Sequence, residues 1–343
     1  MKDSNVLIVT EVNNKVASGH LFECLVCYEE LQEDCNVYLM VNADMPPLFK
    51  KRLPKQYIKY RSNIQEEAET LAHYVSKYEI NIVLFNLREI KNSFIHKVRE
   101  LVNIDIICID EFGHRAVDAD IIINPMISET YWAYDSEAEM YCGAEYLILA
   151  PEIARYHQLD RPINDRIEEV TVSMGGVDAP GTTLKLAQWL PEILEGTRIN
   201  LVIGGGFPYK RKLKKITKNN KRITIYQNID YLFDLFYRSD LAVCAGGNTL
   251  HELAAIGTPT LVIPSMLHEF QNGQTFQRKG FSICCDIAEQ ISRQSFSQNL
   301  RKIYDVEVRR NMKSNGKHIA DGRGGERVCR IVKAYEKRRR KRK

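Results

Sequence analysis

The chain has 343 residues, 44% apolar, 9% aromatic and 27% charged, which is enough for two ordinary α/β domains and excludes a disordered or collagen-like polymer. No run approaches the roughly 18 consecutive apolar residues of a membrane span, and the first residues pass into a charged, strand-like segment without a signal peptide, so a soluble, cytoplasmic protein is expected. The formal charge of +4 conceals an asymmetry: residues 337–343 are all basic, and subtracting those seven leaves −3, so a nucleic-acid function for the whole chain has little compositional support.

Short β-branched runs alternate with longer amphipathic stretches, the pattern of parallel sheets covered by helices. In a first series, strands are expected at 5–10, 37–41, 80–86, 104–110, 121–124 and 147–149, with helices at 20–32 and 64–78. Nine cysteines, an odd number in a long chain, read as reduced thiols. Cys24 and Cys27 form a CxxC, but they lie in an apolar pattern with no second pair. They therefore read as core residues of a buried helix rather than a zinc or redox site.

A polar, proline-containing stretch at 156–168 reads as an interdomain linker. In the second series, strands are expected at 169–173, 198–203, 222–226, 240–243 and 259–263, and helices at 182–194, 209–218, 229–238 and 249–255. Lys210, Arg211, Lys212, Lys214, Lys215, Lys218, Lys221 and Arg222 read as the solvated face of a surface helix. A terminal helix is expected at 323–336. The basic run at 337–343 reads as a disordered tail and a candidate for peripheral contact with an anionic membrane surface. The expected fold class is thus α/β: two doubly wound parallel-sheet, Rossmann-like domains, 1–160 and 168–322, facing a central cleft. Ligands of such domains bind at the carboxyl ends of the strands.

Four glycine-containing turns fall where a strand gives way to a helix, at Gly19, at Gly175-Gly176, at Gly204 and at Gly246-Gly247-Asn248-Thr249. Glycine there lets the backbone approach a ligand, and the amides of a helix start favour an anion, so three such turns in one half point to a phosphate-bearing ligand. There is no GxxxxGK[ST] and no GxSxG, which removes nucleoside triphosphate hydrolysis and a nucleophile elbow. Glu252, on the helix opened by Gly246-Gly247, is placed to reach a ribose diol. The alternative role is a carboxylate favourable to the helix start. His251 beside it reads as structural.

His20 is the sharpest feature, since a histidine at the first helical positions after a strand-end loop suits general-base work. Glu23, one turn on, and Glu11, in the preceding loop, are its candidate partners. His268 and Glu269 lie in a polar loop after a strand and are candidate ligand contacts, whereas His114 has no spacing that supports a metal site.

The order of Gly19-His20, residues 120–126 (DIIINPM), Gly143-Ala144-Glu145-Tyr146, Met174-Gly175-Gly176-Val177-Asp178 and residues 246–259 resembles the UDP-sugar hydrolase family of pseudaminic acid biosynthesis. That family is similar to the GT-B glycosyltransferase of peptidoglycan lipid intermediates. The resemblance runs over nearly the whole chain. It implies cleavage by water of the anomeric bond of a UDP-linked 2,4-diacetamido-trideoxyhexose, with no metal or cofactor and His20 as the catalytic residue.

The same resemblance puts the nucleotide on Gly175, Gly176, Gly246, Gly247 and Glu252, with Asp178, Gly204, Asn248 and Thr249 as further contacts. The candidate substrate contacts are Glu11, Gly19, Glu23, Asn124, Tyr146, His268 and Glu269. This sequence departs from the family pattern with Glu11 and Asn86 in place of aspartates and with Glu23 and Ala150 in place of arginines. Two rival readings stand beside the hydrolase: a GT-B glycosyltransferase with an acceptor hydroxyl in place of water, and a noncatalytic nucleotide-sugar-binding protein.

Overall fold

The computed structural model describes residues 4–12, 19–45, 47–61, 63–109, 118–127, 132, 135–227, 229 and 232–342. The chain divides into two units, Met1–Pro151 with Arg323–Lys343, and Glu152–Gly322. Within the described residues no helix is long and apolar enough to cross a membrane.

The first unit carries a seven-stranded sheet. Its strands are β1 (Asn5–Thr10), β2 (Asn36–Asn42), β3 (Ile58–Tyr60), β4 (Ile82–Asn86), β5 (Asp105–Ile109), β6 (Ile121–Asn124) and β7 (Glu139–Cys142), in the order β3-β2-β1-β4-β5-β6-β7. All neighbours are parallel. The central strands read NVLIVT, IVLFN and DIICI because a parallel sheet covered on both faces has no polar side.

Alternation sorts these residues between two cores. Val6 and Ile8 pack with Leu21, Cys24 and Cys27 of the helix Gly19–Leu31, whereas Leu7 and Val9 face Leu71, Val75, Phe94 and Val98. Each such fully buried side chain contributes about 1.5–3 kcal/mol. The strand order reverses between β1 and β4, which makes their carboxyl ends the topological switch point of this sheet.

Two expectations fail in this unit. Residues 147–149 form no strand: Leu147, Ile148 and Leu149 are buried, but Ile148 packs with Val328 and Val332 of the returning helix Gly324–Arg342, and the seventh strand lies earlier, at β7. Apolarity there reflects coverage by a helix 180 residues away. The basic run is likewise no disordered tail, because the same helix continues to Arg342. Arg338 meets Glu139 of β7 at 2.7 Å and Arg339 pairs with Asp105 of β5, so acidic strand starts hold the cationic last turns.

The second unit carries β8 (Glu169–Ser173), β9 (Arg198–Ile203), β10 (Ile223–Gln227), β11 (Leu241–Cys244), β12 (Thr260–Val262) and β13 (Ser282–Cys284), in the parallel order β10-β9-β8-β11-β12-β13. Val170, Val172, Leu241 and Val243 face Leu186, Leu190, Phe296 and Leu300. The switch point lies between β8 and β11. On the helix Lys210–Thr217 only Leu213 and Thr217 are buried, as a solvated basic face requires.

The stretch expected as a linker instead packs inside this unit. Residues up to Gln158 end a helix, Glu152–Gln158, and the rest is tied to Asp240. That carboxylate accepts from Arg161 Nη1 at 3.1 Å, Asn164 Nδ2 at 2.9 Å and the amides of Glu168 and Glu169 at 2.8 and 3.1 Å. The buried Arg309 donates to the carbonyls of Asn164 and Asp165 at 2.7 and 2.8 Å. A polar stretch with this many buried partners is a strut.

Candidate functional site

Of the residues singled out in the first unit, Glu11, His20, Glu23 and Asn86 gather at its switch point. Thr10 and Asn86, paired across β1 and β4, end those strands, and the backbone beyond β1 is held by reciprocal bonds between Val12 and Asn42, both 2.7 Å. His20 begins the helix that follows. Its Nδ1 lies 2.7 Å from Asn86 Oδ1, and Asn86 Nδ2 donates to Glu23 Oε2 at 2.8 Å. Asn86 is fully buried and Glu23 is 6% exposed, so this polar chain runs from the half-buried imidazole into the protein.

Glu11 does not serve as the partner of His20 found here. Its Oε1 accepts from the Arg88 amide at 3.1 Å, bridging the segments after β1 and β4. Cys24 lies against Asn86 and Thr10, and burial raises its thiol well above the ordinary range. Both CxxC cysteines belong to the core cluster, as read from the sequence.

Two sugar-contact candidates lie elsewhere in the sheet. Asn124 ends β6, buried, with Oδ1 accepting from the Met126 amide at 2.9 Å. Tyr146 sits in the turn Ala144–Tyr146, edge-on to Tyr141 at 5.8 Å, packed against the core. Residues 110–117, with His114, lie outside the described residues, as do 13–18.

In the second unit the glycine turns after β8, β9 and β11 share the carboxyl edge of the sheet. A Cβ on Gly204 would collide with the backbone of Gly176, whose carbonyl accepts from the Gly206 amide at 3.1 Å, so these two turns lie backbone against backbone. Gly246 has φ +102°, and a Cβ there would come within 2.7 Å of the Glu269 carbonyl. Beside Gly175 and Gly176 no other described atom lies within 4 Å of the Cβ position, so this turn faces open space.

The two helix starts at this edge differ. Asp178 is 6% exposed with φ +45°, and its oxygens accept from the Thr182 and Thr183 amides at 2.9 and 2.8 Å, which caps the helix Thr182–Ile193. The helix Asn248–Ile256 begins at Gly247, and among the described residues no side chain caps it, which leaves its first amides for an anion. Asn248 is exposed and Thr249 half-buried there.

Glu252 lies one turn on, and desolvation pushes its carboxyl up to about 7. His251 is buried beside the Phe276 ring at 5.2 Å with its imidazole pushed down to about 4 by the same cause, a core histidine as read from the sequence. Glu269, like Asp178, serves backbone: Oε2 accepts from the Ser265 and Met266 amides at 2.7 and 3.2 Å. Burial raises its carboxyl despite those bonds. His268 beside it is exposed.

Sequence reasoning named Asn86 only as a substituted position and missed Asn272, whose Nδ2 donates to the Gly246 carbonyl at 3.3 Å. Their visible signals were a polar residue ending an apolar strand and one in the stretch expected as a polar loop, which instead forms the helix Leu267–Arg278 that carries His268, Glu269 and Asn272.

Two parallel-sheet α/β units of seven and six strands, with glycine turns along the carboxyl edge of the second, define the GT-B fold. Residues 182–323 match the family model described as Glycosyltransferase family 28 C-terminal domain. Over 323 residues the chain is 21% identical to the spore coat polysaccharide biosynthesis protein SpsG of Bacillus subtilis, covering 92% of this chain and 93% of that protein. The solved structure of Acinetobacter baumannii MurG superposes with a TM-score of 0.71 at 14% identity, over 96% of this chain and 99% of that one.

The family resembled at first reading aligns over less than expected. The pseudaminic acid cytidylyltransferase and UDP-2,4-diacetamido-2,4,6-trideoxy-beta-L-altropyranose hydrolase of Helicobacter pylori is 30% identical over 121 residues, 35% of this chain and 22% of that protein.

Proposed function

We propose that this protein is a glycosyltransferase of the GT-B type that takes a UDP-linked sugar as donor in polysaccharide biosynthesis. The carrying observation is the family 28 C-terminal domain match over 182–323, a span that includes the turn at Gly204, the Gly246-Gly247 helix start and Glu252. The whole-length likeness to SpsG supports the polysaccharide context.

In this reading the second unit binds the nucleotide. The amides of the 175–176 turn and of the helix Asn248–Ile256 receive the diphosphate, and Glu252 accepts from the ribose hydroxyls. His20 of the first unit is the base: its Nε2 takes the proton of the acceptor hydroxyl as the oxygen bonds to the anomeric carbon. The bond from that carbon to the diphosphate oxygen breaks, and its electron pair leaves on UDP, whose charge the amides stabilise.

Hydrolysis is the second reading, favoured by the aligned segment of the Helicobacter pylori protein, and water then replaces the acceptor. A panel of UDP-sugars, with and without glycan acceptors, in ¹⁸O-labelled water separates the two when UDP release is followed by phosphorus NMR. UDP release that requires an acceptor and leaves the sugar unlabelled is the expected result. Acceptor-independent release of ¹⁸O-labelled sugar would overturn the transferase reading in favour of hydrolysis, and UDP binding without turnover in any combination would overturn both.

A further inference from the structure

Glu23 and Asn86 are polar groups sunk almost completely into an apolar surround, a placement that is costly unless every hydrogen bond is made. Asn86 Nδ2 donates to Glu23 Oε2 at 2.8 Å, so the end of the amide that meets Glu23 is its NH2. The amide oxygen is then the atom 2.7 Å from His20 Nδ1. That oxygen also only accepts, which requires the ring proton to be on Nδ1. We propose that Glu23 is a positioning residue which, through Asn86, locks His20 in its Nδ1–H tautomer and makes Nε2 the basic nitrogen of the ring. The inference rests on His20 being the base of the proposed reaction.

Glu23 and Asn86, two of the four positions at which this sequence departs from the family pattern, are the two members of the relay. An aspartate at 86 would hold the Nδ1 proton with a full charge and favour imidazolium before the acceptor arrives. The amide holds the same proton without charge and sets the carboxylate one hydrogen bond further back, which orients the ring while keeping it neutral and ready to accept a proton. Asn86 keeps its own protons throughout, so the relay transmits orientation and polarisation only.

Among the described residues, the other ionisable groups around the relay are Glu11 from the segment after β1, Cys24 and Cys27 from the helix of His20, and Tyr60 from β3, with Asp44 and Glu67 beyond it. Burial raises the Cys24 thiol and the Tyr60 phenol, and the contact with Cys329 together with burial raises the Cys27 thiol, so none of these three adds charge beside Glu23 in the neutral range.

The test is the imidazole ¹⁵N spectrum of the full chain, with the His20 signals assigned by their loss in His20→Gln. The lock predicts pyrrole-type Nδ1 and pyridine-type Nε2 in the wild-type protein. In Glu23→Gln the side-chain amide can present either end to Asn86, so the tautomers mix and kcat falls roughly 10- to 100-fold with the donor KM unchanged. Asn86→Asp keeps the single tautomer and raises the His20 titration midpoint by about one pH unit or more.

An Nε2–H signal in the wild type, or a His20 spectrum indifferent to Glu23→Gln, would overturn the lock. The wild-type and Asn86→Asp spectra decide the question even where Glu23→Gln folds poorly. The expected tautomer in a protein with no glycosyl chemistry would sink the proposed function and leave the lock standing, whereas turnover with the opposite tautomer would do the reverse.

Discussion

Replacing Glu252 by glutamine removes a carboxyl that burial holds at about 7 against an ordinary 4.5. Between those values the folded protein keeps the proton and the unfolded chain releases it, so stability falls as pH rises from 4.5 to 7 and the cost is complete above 7. At about 1.4 kcal/mol per pH unit the interval sets an upper bound of about 3.5 kcal/mol, reduced by the solvent contact the side chain retains.

His251, one residue earlier, works in the opposite sense. Its imidazole, lowered from 6.5 to about 4, stays neutral in the fold while the unfolded chain takes up a proton, so stability is lost as pH falls from 6.5 to 4. Over the shared interval the two slopes offset each other, and the nucleotide-free wild type should be nearly flat with respect to this pair. Urea denaturation of wild type and Glu252→Gln at pH 5 and pH 8 checks this. The variant's advantage should grow by roughly 2–3 kcal/mol between the two pH values, less whatever solvent screens. A stability difference that is the same at both would refute the desolvated carboxyl and the reasoning built on it.

Removing the other titration, His251→Gln, should leave the Glu252 slope unopposed, so that the variant gains stability from pH 7 to 4.5 where the wild type stays nearly flat with respect to this pair, read from melting temperatures at those two pH values. If Glu252 accepts from the ribose as a carboxylate, UDP affinity should rise about tenfold between pH 6 and 8 and lose that dependence in Glu252→Gln, measured by titration calorimetry. Gly204→Ala forces the turns after β8 and β9 apart, costing on the order of 1–3 kcal/mol and weakening UDP binding in the same assay. Asp178→Ala should cost about 1–2 kcal/mol of stability through the lost cap with little change in UDP affinity, since its oxygens serve Thr182 and Thr183; a large affinity loss would restore it as a nucleotide contact. His20→Gln should lower turnover about 10²- to 10⁴-fold with UDP binding intact.

The long central strands and the helices around them were readable because a parallel sheet buried on both faces leaves an unbroken apolar run, and its covering helices leave a 3.6-residue stripe. Short edge strands were not: β3, β7 and β13 hold three or four residues each, too few to show a period. The run at 147–149 was apolar for a reason the sequence conceals, coverage by the returning helix rather than strand pairing.

At the site, sequence alone determined which chemistry was on hand: a histidine at a helix start, carboxylates near it, and glycines at strand ends. It could not assign their partners. His20 and Asn86 are 66 positions apart and meet because β4 lies beside β1 at the switch point, which strand order decides. Asp178, Glu269 and Glu252 all read as candidate ligand contacts, yet the first two accept from amides of their own helix starts, and burial raises both Glu269 and Glu252. Which anion occupies a helix start depends on backbone angles and neighbouring loops, and those are set by packing that no local stretch of sequence contains.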